Sequence, residues 1–227
     1  MGNVIAAAIA FVGTHFLLSH PLRRAIVARI GEGPFAGLYS LVAAVTLGWL
    51  AFAYRAAPAT PLLWVPGDGI WIAVTIVMLL ASVLLVGSLI GNPALPDPSG
   101  QRKPVPEARG VFAITRHPMM WAFALWGACH IAVYPMAANI VLASSVIILA
   151  LVGAAFQDDT KRRLRPNFWP AWQQRTSYVP FAAILAGRAQ FGGFRAHDLV
   201  GGLIVWLAAT WAHMPLAGWA AGIWRWL

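Results

Sequence analysis

Six histidines punctuate this chain: His15, His20, His117, His130, His197 and His213. Three of them, His15, His130 and His213, lie well inside long apolar runs. An imidazole buried in hydrocarbon needs a partner, because an unpaired polar group there costs several kcal/mol. A neighbouring helix can supply a hydrogen-bond acceptor. A metal ion or a haem iron can supply a coordination bond, and two histidines on facing helices are a familiar haem ligand set in bundles. The chemistry to look for therefore sits within the apolar segments.

Those segments cover residues 4–19, 35–53, 70–90, 119–134, 136–156 and 199–220. The chain of 227 residues is 60% hydrophobic and 10% charged, with a mean hydropathy of +0.71. Soluble domains carry about 25% charged residues. Crossing a ~30 Å hydrocarbon core takes about 20 helical residues. Six crossings use most of the apolar sequence, so the expected fold is all-α: a polytopic membrane helix bundle of about six spans, one domain over residues 1–227. The 38 residues 119–156 are too long for one crossing, and Tyr134-Pro135 interrupts them, which predicts a tight helical hairpin. The first run has no basic leader and is expected to be retained as a span. Cys129 is the only cysteine and can form no internal disulfide.

The net charge of +9 is distributed in a way that argues against nucleic acid as a partner. Fourteen of the 16 basic residues fall after the first run, between the third and fourth, and between the fifth and sixth. Only Arg55 and Arg225 fall in the other loops. This alternation is the positive-inside pattern. It predicts a cytoplasmic (inner) membrane protein with both termini periplasmic, and membrane lipid as its first partner. Loop 54–69 is then external. Loop 91–118, with Pro93, Pro96, Pro98, Pro104 and Pro106, is expected to be extended. Segment 157–198 interleaves basic residues with Trp169, Trp172 and Tyr178, which suggests a helix lying in the basic interface. Its apolar stretch 179–187 is too short to span.

Depth and helical phase sort the candidate site residues. His15 falls in the cytoplasmic half of the first span, and His130 and His213 in the outer halves of the fourth and sixth. By depth His130 pairs more naturally with His213 than with His15, from which straight helices offset it by roughly 10 Å. His130 shares its face with Trp126 and Phe123, a wall suited to a flat ring; His15 shares its face with Phe11 and Ala8. His117 and His130, thirteen residues apart, point to nearly opposite sides of one helix. Arg116-His117-Pro118 opens the fourth span, where a guanidinium and a helix start could hold an anion such as a haem propionate or a phosphate, or could pair with Asp158 and Asp159.

Three stretches, in order, resemble the NnrU family. They are His15-Phe-Leu-Leu-Ser-His20-Pro-Leu-Arg23, then Ile114-Thr-Arg116-His117-Pro118 with His130 thirteen residues on. The third runs from Asp158-Asp159 through Lys161-Arg162-Arg163, Trp172 and Arg175-Thr-Ser177 to Val179-Pro180-Phe181. The resemblance implies a bacterial membrane protein linked to denitrification and nitric oxide metabolism. The plant and cyanobacterial 15-cis-ζ-carotene isomerase is similar to this family. That similarity implies haem b (iron) as cofactor, with His15 and His130 as the metal ligands. Phe11 and Trp126 would then line the haem, with Arg116 and His117 as further cofactor-binding candidates. His213 or His20 remains open as a replacement for His15. The similarity also admits a haem-dependent cis–trans isomerase acting on an apolar polyene, with an electron donor as partner. A weaker similarity, to the isoprenylcysteine carboxyl methyltransferases, places S-adenosylmethionine on Arg116 and His117, although Asp158-Asp159 departs from that pattern.

Overall fold

A computed structural model describes residues 1–95 and 104–227. Pro96 and Pro98, and Arg102 and Lys103 among the fourteen clustered basic residues, lie outside the described residues. Among the described residues every regular element is a helix, and there are no strands. Its elements are α1 (Gly2–Ser19), α2 (Arg23–Ile30), α3 (Glu32–Arg55), α4 (Asp68–Gly87), α5 (Val111–Ile114), α6 (Pro118–Val133), α7 (Ala137–Leu164), α8 (Trp169–Arg175), α9 (Ala182–Leu185) and α10 (Ala196–Ala217). A final 3₁₀ turn covers Gly222–Arg225.

The six apolar runs become α1, α3, α4, α6, α7 and α10. Five of these are long and apolar enough to cross a membrane, and α6 is a shorter apolar helix of 16 residues. The hairpin turn falls at Tyr134–Met136, as the proline predicts. Asn139 clamps it, donating from Nδ2 to the carbonyls of His130 (2.9 Å) and Tyr134 (2.6 Å). The helix after the turn outruns its apolar run. It continues through Asp158 and Lys161–Arg163 for 28 residues, about 42 Å, so its last turns project beyond the hydrocarbon. Loop 91–118 is less irregular than its prolines suggest, because α5 folds inside it with all four residues buried. The basic interfacial segment holds two short helices, α8 and α9, rather than one.

Each long helix packs mainly on one or two neighbours, in the order α10, α4, α6, α7, α1, α3, with α3 also touching α7. Lipid tails are as apolar as leucine, so close backbone approach rather than hydrophobic burial must hold these pairs. Small residues occupy the contacts. Ala7 and Ala8 of α1 are buried against Leu50, Ala53 and Ala138. A Cβ on Gly127 would lie 2.9 Å from the Ala143 carbonyl oxygen, so α6 and α7 touch there. A Cβ on Gly202 would lie 2.7 Å from Val83 Cα, so α10 and α4 touch backbone to backbone. Large apolar side chains such as Ile9, Leu41 and Phe52 point outward, into the expected lipid.

Gly202→Leu is therefore expected to lower the detergent-solubilised protein's stability by about 1–3 kcal/mol through overpacking. Gly13→Leu, where nothing lies within 4 Å, should change it by about 0.5 kcal/mol or less. Thermal melting of the two variants side by side checks this contrast.

Candidate functional site

The histidines divide by what their ring nitrogens do. A carbonyl oxygen only accepts, so a ring nitrogen bonded to one carries the proton. His15 donates Nδ1–H to Phe11 O (2.6 Å), His130 to Trp126 O (2.8 Å) and His213 to Ala209 O (2.8 Å). Each bond reaches back one turn of its own helix. Among the described residues, Nε2 makes no hydrogen bond in any of the three. The other histidines face different partners. His20 uses Nδ1 on Ser19 Oγ (2.9 Å) and Nε2 on Phe156 O (3.3 Å). The Nε2 of His117 bonds Asp158 (2.9 Å), whereas that of His197 lies 2.8 Å from Asp198 Oδ1 without the alignment of a hydrogen bond. Orienting an imidazole through Nδ1–H so that Nε2 presents a bare lone pair is how metal-binding histidines are set up.

Two of the three in-span histidines meet. His130 of α6 and His213 of α10 have ring centres 6.1 Å apart with the planes tilted 31°. At about 2 Å per metal–nitrogen bond and roughly 1.2 Å from nitrogen to ring centre, two imidazoles on opposite sides of one metal stand about 6 Å apart. The observed ring-centre distance is thus of the size that two imidazoles sharing one metal would need. Aromatic rings enclose the pair. Trp126 stacks on His130 at 4.2 Å, Trp219 stands edge-on to His213 at 6.4 Å, and Tyr134 and Trp71 flank Trp219 at 5.7 and 5.5 Å. Gly218, at φ 76°, turns the chain after α10 so that Trp219 folds back over the helix end. The following turn is clasped by Trp224 Nε1 donating to Thr210 Oγ1 (3.1 Å).

His15 does not reach this cluster. Its ring neighbours are Phe11 (4.6 Å) and Tyr39 of α3 (5.5 Å). Depth can be read along α7, which packs on both helices. The ring of Phe16 contacts Phe156 and lies 3.8 Å from a Cβ built on Gly153, whereas Asn139 bonds the carbonyl of His130. The interval of 14 to 17 residues on α7 is roughly 21–26 Å at ~1.5 Å per residue. The two histidines are further apart in depth than straight spans suggested, because the site on α6 lies at the very end of α7.

Arg116 and His117 occupy the opposite, basic end and converge on Asp158. This carboxylate is 5% exposed. It accepts Arg116 Nε (2.8 Å to Oδ2), Arg116 Nη2, His117 Nε2 (2.9 Å) and Trp169 Nε1 (3.1 Å). The surrounding backbone is tied just as fully. Arg116 N donates to Ser177 O (2.9 Å), Thr115 Oγ1 to Tyr178 O (2.8 Å), Trp121 Nε1 to the same carbonyl (2.9 Å), and Phe181 N to Ile114 O (2.8 Å). The Tyr178 hydroxyl donates to Leu151 O (2.6 Å). Burial and the Asp158 carboxylate push that phenol up despite the nearby Arg116, so it remains a donor at neutral pH. The motif residues Arg116, His117, Asp158, Ser177 and Phe181, with Trp169, thus meet in one knot that closes α6, α7 and the interfacial segment together. From His117 to His130 is thirteen residues of α6, about 20 Å, so the knot and the histidine pair are separate sites.

Sequence reasoning missed Trp71, Trp219, Tyr39 and Asp198. Asp198 is fully buried, accepting from Arg195 N (3.1 Å) and pairing with the Arg195 guanidinium (3.0 Å). Gly87 and Gly110 leave the room it fills, since a Cβ on either would lie within 3 Å of its carboxylate. A lone carboxylate at the start of an apolar helix was the available signal. For Trp219 there was none beyond the Gly218 helix stop.

No curated protein and no solved structure matches the chain. The sequence model of the NnrU protein family matches residues 3–221. That range includes both the histidine pair and the basic knot, and with nearly its whole length matched this chain belongs to the NnrU family.

Proposed function

We propose that this NnrU protein is a haem b-binding membrane protein whose axial ligands are His130 and His213. One observation carries the reading: imidazoles from two helices, 6.1 Å apart inside the spans, are each held by an Nδ1–H bond that leaves Nε2 unspent. Trp126 and Trp219 supply flat apolar walls beside them. Haem, when bound, supplies a one-electron couple tuned by its axial ligands and surroundings. Such a couple suits a family linked to denitrification and nitric oxide metabolism. The resemblance pairs His130 with His15 instead. That pairing keeps one ligand in common and needs α1 to shift along α7, so histidine variants separate the two. An S-adenosylmethionine site on Arg116 and His117 has less support, because both already hold Asp158.

Protein purified in mild detergent should be coloured, with a Soret band that moves on reduction and about one haem b per chain. A colourless protein that takes up no added haem overturns the proposal. We also assign the basic end to the cytoplasm, since lysine and arginine bias sets orientation. Reporters fused after Leu227 or within residues 56–68 should be periplasmic, and one within residues 104–109 cytoplasmic. The reverse pattern would refute that assignment.

A further inference from the structure

Beside the basic knot lies a cavity of about 740 Å³, separate from the histidine pair. It opens between segment 104–110 and the loop that joins α9 to α10. Four arginines line it: Arg109, Arg175, Arg188 and Arg195. Two of them are already neutralised. Arg109 pairs with Glu107, also on the wall, and Arg195 pairs with buried Asp198 behind it. Arg175 and Arg188 have no acidic partner among the described residues.

These two guanidiniums are nevertheless anchored. Arg175 donates from Nη1 to Val105 O (2.9 Å) and Pro106 O (3.3 Å). Arg188 donates from Nη1 to Gln174 O (2.8 Å), Thr176 O (3.1 Å) and Gln173 O (3.3 Å). In both residues the whole load falls on Nη1. Among the described residues, the Nε and Nη2 N–H groups, which form the parallel edge that matches two oxygens of one anion, carry nothing. A guanidinium that is pre-positioned through one nitrogen and open along its bidentate edge loses little freedom on gripping a phosphate. Gly193, at φ 96°, lets the loop turn along the wall without a side chain intruding.

We propose that this cavity binds a phosphate-bearing anion, gripped by the free edges of Arg175 and Arg188. The surroundings point to a phospholipid headgroup as the source. Leu185 at the end of α9 is 86% exposed, and Phe191 on the loop that follows is 42% exposed, where acyl chains would lie. Basic pockets at the membrane edge are the usual seat of anionic lipid headgroups. The inference is independent of haem.

The test titrates the full-length protein, in neutral detergent, with phosphatidylglycerol, phosphatidylcholine and soluble glycerol phosphate, reading binding by native mass spectrometry and by thermal shift. Phosphatidylglycerol should bind and stabilise more than phosphatidylcholine, and R175K/R188K should weaken it tenfold or more, since lysine keeps the charge but not the paired edge. E107Q should tighten binding several-fold by removing the one carboxylate on the wall, and R162Q, at an exposed pair with Asp159, should leave it unchanged. Saturable binding of glycerol phosphate with the same variant pattern would also support the site and name a soluble source. Equal binding of the two lipids together with no glycerol phosphate binding overturns the proposal, as does wild-type affinity in R175K/R188K or an E107Q protein that binds no tighter.

Discussion

His130→Ala is expected to remove the haem almost entirely, from about one per chain to below about a tenth, with the Soret band lost from the purified protein. His130 stands in both candidate ligand pairs, so its loss leaves no way to hold iron from two sides. The more informative comparison is between His213→Ala and His15→Ala. With the pair seen here, His213→Ala should leave at most a weakly bound haem with a changed spin state, because one axial bond is gone. His15→Ala should leave the spectrum and occupancy unchanged, since its ring sits among Phe11 and Tyr39 at another depth. His213→Met is a useful intermediate: a thioether ligand can still bind the iron, and replacing one axial histidine with methionine raises the haem potential. A wild-type spectrum in His213→Ala, with loss in His15→Ala, would assign the ligands to α1 and α6 and reject the pairing proposed here. Spectra and pyridine haemochrome counts read all of this without an activity assay.

Much of the architecture was legible because hydrocarbon is an unforgiving solvent. Every backbone polar group must pair within its own segment, so an apolar run of sufficient length can only be a helix. All six spans and the turn at Tyr134–Met136 follow from that rule and one proline. The rule is silent once the chain reaches the interface, where water can satisfy the backbone. There α2, α5, α8 and α9 form from short segments, and α5 is buried by tertiary contacts that no periodicity in four residues can announce. The candidate site shows the same division. Depth along straight spans already drew His130 toward His213, while the motif resemblance drew it toward His15. Which of these histidines lie side by side depends on the neighbour order of the helices and the anchoring of Phe16 and Asn139 along α7, which are long-range facts. The wall formed by Trp71 and Trp219 depends on the chain reversing at Gly218, and composition shows twelve tryptophans without showing which of them converge. Arg116, His117 and Asp158 were visible as charges that could meet; that they meet each other, leaving no edge for a ligand, is a matter of their geometry.

That knot yields the largest stability effect expected in the molecule. Asp158→Ala should destabilise the protein by about 3–5 kcal/mol, because it strands Arg116 and the His117 N–H in a site they cannot leave. Arg116 is 11% and His117 1% exposed at the side chain, so neither can turn to water for its missing partner. For a chain of this size about 1 kcal/mol corresponds to roughly 2–4 °C in melting temperature. The variant should therefore melt about 10 °C or more below wild type, if it accumulates at all. Asp159 is the natural control. It is the next residue on α7 and bears the same charge, but its pair with Arg162 is more than half exposed on both sides. Exposed pairs contribute little, so Asp159→Ala should cost at most about 1 kcal/mol. Asp158→Asn keeps the volume and one acceptor oxygen but not the charge, and should fall between the two. Replacing Arg116 and Asp158 together with leucine should recover part of the loss, since a buried pair removed whole leaves no orphan charge. Through all of these the haem spectrum of the surviving protein should keep its shape, because about 20 Å of α6 separates His117 from His130. If Asp158→Ala melts like wild type, the carboxylate is not the keystone its four donors make it. If Asp158→Ala melts normally but the haem spectrum changes, the basic end and the histidine pair are coupled and cannot be treated as separate sites.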